Sequence, residues 1–242
     1  MTRAALPLLA LAAVLAPLAS AETKSFPAGD FTGINAGGVI DVTFETGPVA
    51  SINVEQEGGD FSDIYIEQSG DTLKIGRNSL REGFGWSRNV SVKTDNGRKV
   101  VKVNGKRVPA YTVRVVAPTL AETSVSNSSS MTATGLDSPT FSGSVSSSSD
   151  LILSGTAGDV DLRASSSADL DASSLETRAL KLDVSSSADA LALVRDGTLD
   201  VDASSSADVN VRAIGATKVI VDASSSADVE LSGTCQALAI SA

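Results

Sequence analysis

Five aspartates, Asp150, Asp169, Asp189, Asp208 and Asp228, recur at steps of 19, 20, 19 and 20 residues, each closing a small-residue cluster. Ser-Ser-Ser-Ala precedes the last four, Ser146 to Ser149 precede Asp150, and Asn127-Ser128-Ser129-Ser130 is a worn first copy. Carboxylates in such a series could do two kinds of chemistry. A pair can share acid and base roles in cleaving a glycosidic bond, and a row backed by hydroxyls offers an oxygen shell to calcium. The chain contains no His, so Ser-His and Cys-His nucleophile pairs and His-bound zinc are excluded. The glycine-dense nonapeptide of calcium-binding β-rolls is also missing. The plainer reading of the Asp column is a solvated face whose carboxylates cap the bend amides.

A second constellation is basic. Segment 77–114 carries ten of the nineteen Lys and Arg against only Glu82 and Asp95, a net charge of +8, whereas segments 22–76 and 115–242 carry −8 and −11. Within it, Leu80 to Arg88 sets the single Trp beside glycine and between Arg81 and Arg88. Arg81, Trp86, Arg88, Arg98, Lys99, Lys102, Lys106 and Arg107 are candidate contacts for an anionic glycan or envelope component. Nucleic acid is disfavoured by the acidic body and by export. The alternative keeps Phe84 and Trp86 as a cover on the body, with the cations neutralising nearby acidic coils.

The elements that must position these residues follow from the repeat, because six copies at 19 to 20 residues mark a solenoid. In the coil around Asp208, Leu199, Val201, Ala203, Ser205, Ala207, Val209, Val211 and Ala213 share one parity, and the next coil repeats the pattern from Val219 to Leu231. Around Asp169 the same role falls to Val160, Leu162, Ala164, Ser166, Ala168 and Leu170. Strict alternation signals strands with one apolar face. Each coil reads as strand, bend at the Ser cluster, strand, then a turn at Ser154-Gly155, Ser173-Ser174, Asp196-Gly197, Ile214-Gly215 or Ser232-Gly233. Coils that cannot bury their apolar face alone bury it by stacking. The Asp column then points outward, and the middle serines Ser147, Ser166, Ser186, Ser205 and Ser225 are expected to point inward as a hydrogen-bonded ladder. Outward rows of hydroxyls suit a flat sugar- or ice-binding face, but those favour Thr or aromatic partners that the repeats lack. Regular, loop-free coils also leave no walls for a catalytic cleft, so no catalytic residue, cofactor or metal is expected.

Ahead of the repeats, 31–75 reads as irregular β. Segment 89–117 reads as a meander, with Asn96-Gly97 and Asn104-Gly105 as hairpin signals. The chain opens with Arg3, an apolar run from Leu6 to Leu18 and the small-residue site Ala19-Ser20-Ala21, which predicts a signal peptide over 1–21. Its apolar run is shorter than the roughly 20 residues that span a bilayer. An exported chain follows, periplasmic, surface-associated or secreted, with no membrane span after processing. A single domain is expected over 22–242, divided into 22–76, the basic insertion 77–114 and the regular coils 115–242. The lone Cys235 excludes an internal disulfide and leaves open pairing between chains. Leu238, Ile240 and Ala242 align with Val219, Val221 and Ala223 and leave an open coil edge, which either pairs with another copy or is tolerated as a short strand.

An ordered set of these residues resembles the head GIN-domain family of bacterial adhesins. Phe31-Thr32-Gly33-Ile34-Asn35, Gly38-Val39-Ile40-Asp41-Val42 and Gly70-Asp71-Thr72-Leu73-Lys74-Ile75 are similar to its N-terminal pattern. Val113 to Leu120 is similar to its strand leading into the coils, and the Ser-Ser-Ser-Ala-Asp units correspond to its Ser-Gly-Ser-Gly-Asp repeats. The resemblance implies a right-handed parallel β-helix, all-β, in an exported adhesin-like module of largely unassigned role. The departures are the 89–110 hairpin arm and the loss of both repeat glycines. Ala has little access to φ > 0, so an altered bend is expected.

Overall fold

In a computed structural model, residues 21–80, 89–95 and 98–242 are described, with side chains for 21–80, 89–93 and 100–242. The predicted signal peptide up to Ser20, the Asn96-Gly97 turn, and Arg81, Trp86 and Arg88 lie outside them. The described chain is a β-solenoid of about six regular turns. Strands Ser130–Ser146, Asp150–Ser165, Asp169–Val184 and Asp189–Ala203 each run round most of a coil. Asp208–Ala216 with Lys218–Ala223, and Asp228–Cys235 with Leu238–Ser241, complete the stack. All pair in parallel register, so residues of one type stack in columns.

Two β faces close each coil, and both corners depart from extended backbone. At one corner, two consecutive serines adopt left-handed φ, as in Ser166 and Ser167 at 59° and 58°. The second serine's N–H donates to the carbonyl of the first serine in the next coil: Ser148 to Ser166, Ser167 to Ser186, Ser187 to Ser205 and Ser206 to Ser225, at 3.1 to 3.2 Å. The corner is therefore a main-chain ladder. At the other corner, φ turns positive at Gly135, Gly155, Asp196, Gly215 and Gly233. Register slips nearby, as between Ile152 and Ser154 against Asp171 and Ser174. The extra residue of a 20-residue coil is absorbed there. In the longer coil, Asp171 Oδ1 accepts from Ser173 N at 3.0 Å and Ser173 Oγ at 2.6 Å.

Parity predicts the core correctly except at the serines. Val209, Val211, Val219 and Val221 are at most 3% exposed, while Asn210 and Asp208 are exposed. The middle serines Ser147, Ser166, Ser186, Ser205 and Ser225 are exposed rather than inward. Two left-handed residues in a row curl the chain, so alternation breaks and both hydroxyls face out. The inward position is the fourth of the cluster, filled by Ala168, Ala188 and Ala207 and, in earlier coils, by Ser129 and Ser149. Ser149 Oγ accepts from Ser129 N at 3.2 Å, and Ser129 Oγ from Ile40 N at 3.3 Å. Ala is thus spared the positive φ that the loss of glycine suggested for it. The serines before it carry that conformation instead.

The N-terminal residues build two further coils out of chain order. Gly33–Gly37 and Asp41–Thr46 form one, with Gly38 and Val39 at its left-handed corner. Thr72–Arg77 and Thr112–Ala117 form the other, stacked on the first. Its corner position is occupied by the intervening segment, so the basic arm grows from the place where regular coils carry their serines. Antiparallel strands Ala21–Phe26, Ser51–Glu57 and Ile64–Ser69 cover this end of the stack.

Candidate binding surfaces

The arm is a three-stranded antiparallel sheet of Val90–Asp95, Arg98–Val103 and Lys106–Val108. Asn104 and Gly105 both have positive φ, 51° and 78°, the conformation of a tight hairpin turn. Alternation gives it two faces. Val101 and Val103 are buried and sit outside the main core cluster. Opposite them, register aligns Ser91, Lys102 and Arg107 across the three strands, with Lys93 beside Val100. Lys93, Lys102 and Arg107 are exposed and, among the described residues, carry no ion pair. Lys106 is also exposed but pairs with Val103, on the valine side. Arg98 and Lys99 are placed by backbone alone, opposite Asp95 and Thr94. The predicted contact set is thus split: Lys102 and Arg107 share a face, and Lys106 does not.

Arg77 and Arg114, which bound the basic segment, belong to the body. Arg77 is 1% exposed. Its Nε donates to Gly38 O at 2.7 Å, and its Nη2 to Val39 O at 3.2 Å and Pro109 O at 2.6 Å. Its Nη1 meets Asp63 Oδ2 at 3.1 Å, and the guanidinium lies 4.8 Å from the Tyr111 ring centre. One side chain thereby ties the left-handed corner of the neighbouring coil to the returning limb of the arm. Burial pushes the Arg77 pKa down, and Asp63 pulls it back up. Burial likewise raises that of Tyr111, whose hydroxyl donates to Asp60 O at 2.9 Å. Neither role was visible as a motif. The only signal was that Arg77 ends an apolar-alternating strand. Arg114 pairs with Glu55 at 2.8 Å.

Asp150, Asp169, Asp189, Asp208 and Asp228 stand in one in-register, exposed column. Ser130 and Asp41 continue it, with Ser130 Oγ donating to Asp41 Oδ1 at 2.6 Å. Beside it runs a column of Ile152, Asp171, Leu191, Asn210 and Glu230, and the two line a shallow groove of about 710 Å³. Among the described residues, no three Asp, Glu, Cys or His converge to hold a metal ion. At each corner the second serine's N–H is taken by the main-chain ladder, and the Asp column stands beside it on the exposed surface.

On the other face, charges interleave. Arg163 meets Asp161 at 2.8 Å and Asp183 at 3.3 Å, and Lys181 lies 3.7 Å from Asp183. Asp183 and Asp202 stack in register. Desolvation, a hydrogen bond with Asp183 and repulsion from Asp183 and Asp200 hold the Asp202 carboxyl above its usual range. The neighbouring depression over Asp161, Lys181 and Asp200 is shallow, about 450 Å³.

No curated protein matches the chain. Among solved structures, it is similar to a putative lipid binding protein from Parabacteroides distasonis (14% identity, TM-score 0.58, covering 91% of this chain and 93% of that one). It is also similar to a putative adhesin from Parabacteroides merdae (14% identity, TM-score 0.54, covering 92% and 96%). At that identity, the likeness speaks to the fold alone. The family model described as "Putative auto-transporter adhesin, head GIN domain" matches residues 30–211, spanning both faces of the stack and the root of the arm, and the chain belongs to that family.

Proposed function

We propose that the protein is an exported, non-catalytic cell-envelope binding module that meets anionic surfaces through the Lys93, Lys102 and Arg107 face of its arm. The observation that carries this is the segregation of charge. The body is acidic, and its Arg114, Arg163, Lys181 and Arg195 are engaged by nearby carboxylates. On the arm, Lys93, Lys102 and Arg107 share one exposed face and have no such partner among the described residues. A solenoid rooted through Arg77 would present that face on a rigid base, which limits the ordering cost of binding. The adhesin description of the family fits a surface-contacting role. The shared ligand chemistry is a carboxylate, sulfate or phosphate array, whether on a glycan or a lipid headgroup.

The test is retention on heparin resin and on vesicles containing phosphatidylglycerol, compared with neutral phosphatidylcholine vesicles. Lys93→Glu, Lys102→Glu and Arg107→Glu together should abolish both forms of retention. Lys181→Glu with Lys218→Glu, on the body, should leave them nearly intact. Equal loss in the two sets would mean that net charge alone governs retention, and the arm would have no special role. Binding without cleavage of an acidic polysaccharide, followed by product release, separates the module from an enzyme.

A further inference from the structure

The groove beside the Asp column joins two features that rarely share a solvated surface. Along one side, Asp169, Asp189 and Asp208 stack in register and are exposed. The ion pairs of the coils lie elsewhere, on the other face and at the glycine corner. Along the other side, Ile152 and Leu191 are 44% and 45% exposed, two coils apart in the same groove. Among the described residues of the regular coils up to Leu231, no other large apolar side chain is as exposed. Apolar surface rimmed by charge marks a contact site.

The matching charge is on this chain. Like charges stacked at strand spacing oppose one another, and a row of cations at the same spacing relieves them. Lys102 and Arg107 stand directly opposite each other on adjacent arm strands, so they repeat at the same ~4.8 Å as the aspartates. Two successive carboxylates can each take one cation, Arg107 as a two-pronged donor. Lys93 and the half-buried Val100 lie beside them, a charge and an apolar group for Asp and Leu191. The arm also springs from the right edge. Thr112, where its returning limb enters the body, is in register with Asp41, and Asp41 in turn with Ser130, Asp150, Asp169 and Asp189. The root of the arm thus heads the Asp column, and Asp189 lies five strand steps along it, ~24 Å away. A two-fold axis across that edge lays each arm over the other copy's column, an isologous and closed contact.

We propose that this groove is the seat of the arm of a second copy of the chain, in an antiparallel pair of stacks whose arms cross over reciprocally. The proposal rests on the reading of the Lys93, Lys102 and Arg107 face as a contact for anions, and it names one carboxylate row which that face meets. The rest of the chain is acidic, so only the arm can draw two copies together. Pairing and contact with envelope anions use the same cations and therefore compete.

The purified protein should show twice the chain mass by light scattering at low salt and approach the chain mass as salt is added. Two charge-reversed proteins test the contact itself, one carrying Lys102→Glu and Arg107→Glu, the other Asp189→Lys and Asp208→Lys. All four side chains are exposed, so circular dichroism should not change. Each protein alone should be monomeric, and an equimolar mixture should restore the pair. A wild-type monomer at every concentration overturns the proposal, as does a pair that survives either reversal or a mixture that stays monomeric. Heparin retention separates the two readings, because Asp189→Lys with Asp208→Lys should keep it. Retention by a wild-type protein that never pairs overturns the pair alone. A pair restored by mixing, in a protein that heparin does not retain, upholds the pair and overturns the envelope contact.

Discussion

A serine held at positive φ costs about 1–2 kcal/mol relative to the right-handed region, whereas glycine pays little there. This chain places serine at both residues of each corner, for example Ser186 and Ser187 at 59° and 60°. What offsets the cost is the ladder of corner N–H to carbonyl bonds and the exposure that lets both hydroxyls reach water. Ser186→Gly and Ser187→Gly should therefore be neutral or stabilising by roughly 0.5 kcal/mol each, the relieved strain being reduced by glycine's larger unfolded-state entropy. Ser206→Val, with a β-branched side chain in the same conformation, should destabilise clearly. Urea midpoints decide it, and a loss of stability in the glycine variants would show that the hydroxyls themselves hold the corner. Arg77 is the opposite kind of residue, where one charge satisfies three carbonyls. Arg77→Met should cost about 3 kcal/mol or more, since it leaves the Gly38, Val39 and Pro109 carbonyls without that donor and Asp63 with only its Ser79 bonds. Arg77→Lys should recover only part, because an ammonium lacks the planar fork. A loss below about 1 kcal/mol for Arg77→Met would remove its role as the clamp.

At the scale of the element, a coil is two alternating strands whose outward columns set like residues ~4.8 Å apart. Val209→Asp should abolish cooperative unfolding, because it buries a charge among Ala190, Val229 and their column. Asn210→Asp, on the outward side, should be nearly silent. In-register stacking also has a cost where the repeated residue is acidic. Asp202 stacks on Asp183, and its carboxyl is held above the usual range. The folded state therefore binds its proton more tightly than the unfolded chain does. That contribution to stability is complete below the unfolded carboxyl's pKa and is lost as pH rises through the folded one. Asp202→Asn should accordingly raise the melting temperature near neutral pH, and the gain should shrink as pH falls toward 4 and as salt is added. A pH-independent gain would point to packing instead. The alternation was legible in the sequence because it is local and repeats. The corner was not: parity counts residues as if the chain stayed extended, whereas two left-handed serines turn the middle one outward before the inward parity resumes at Ala168, Ala188 and Ala207. Arg77 was only counted into the basic segment for a related reason, since charge composition cannot tell a solvated cation from one whose partners lie 38 and 39 residues away in the chain.

At the scale of the whole molecule, the solenoid is close to one-dimensional, and its stability is a sum of coil and neighbour terms. Composition already located the basic segment inside an acidic body. It could not reveal that the segment replaces the corner of a coil assembled from strands 72–77 and 112–117, because that coil is stacked out of chain order. The consequence is an asymmetric stack, with one end clamped by long-range antiparallel strands and the other open. Unfolding should therefore begin at the open end. Amide exchange should be fastest in Asp228–Cys235 and Leu238–Ser241. Protection should then grow coil by coil toward Asp150–Ser165, where both neighbours are complete. Val229→Asp should cost less than Val209→Asp, since Val229 is only partly buried whereas Val209 is 3% exposed. Uniform protection from Ser130 to Ser241 would mean that the coils unfold as a single cooperative unit, and the nearest-neighbour description would fail.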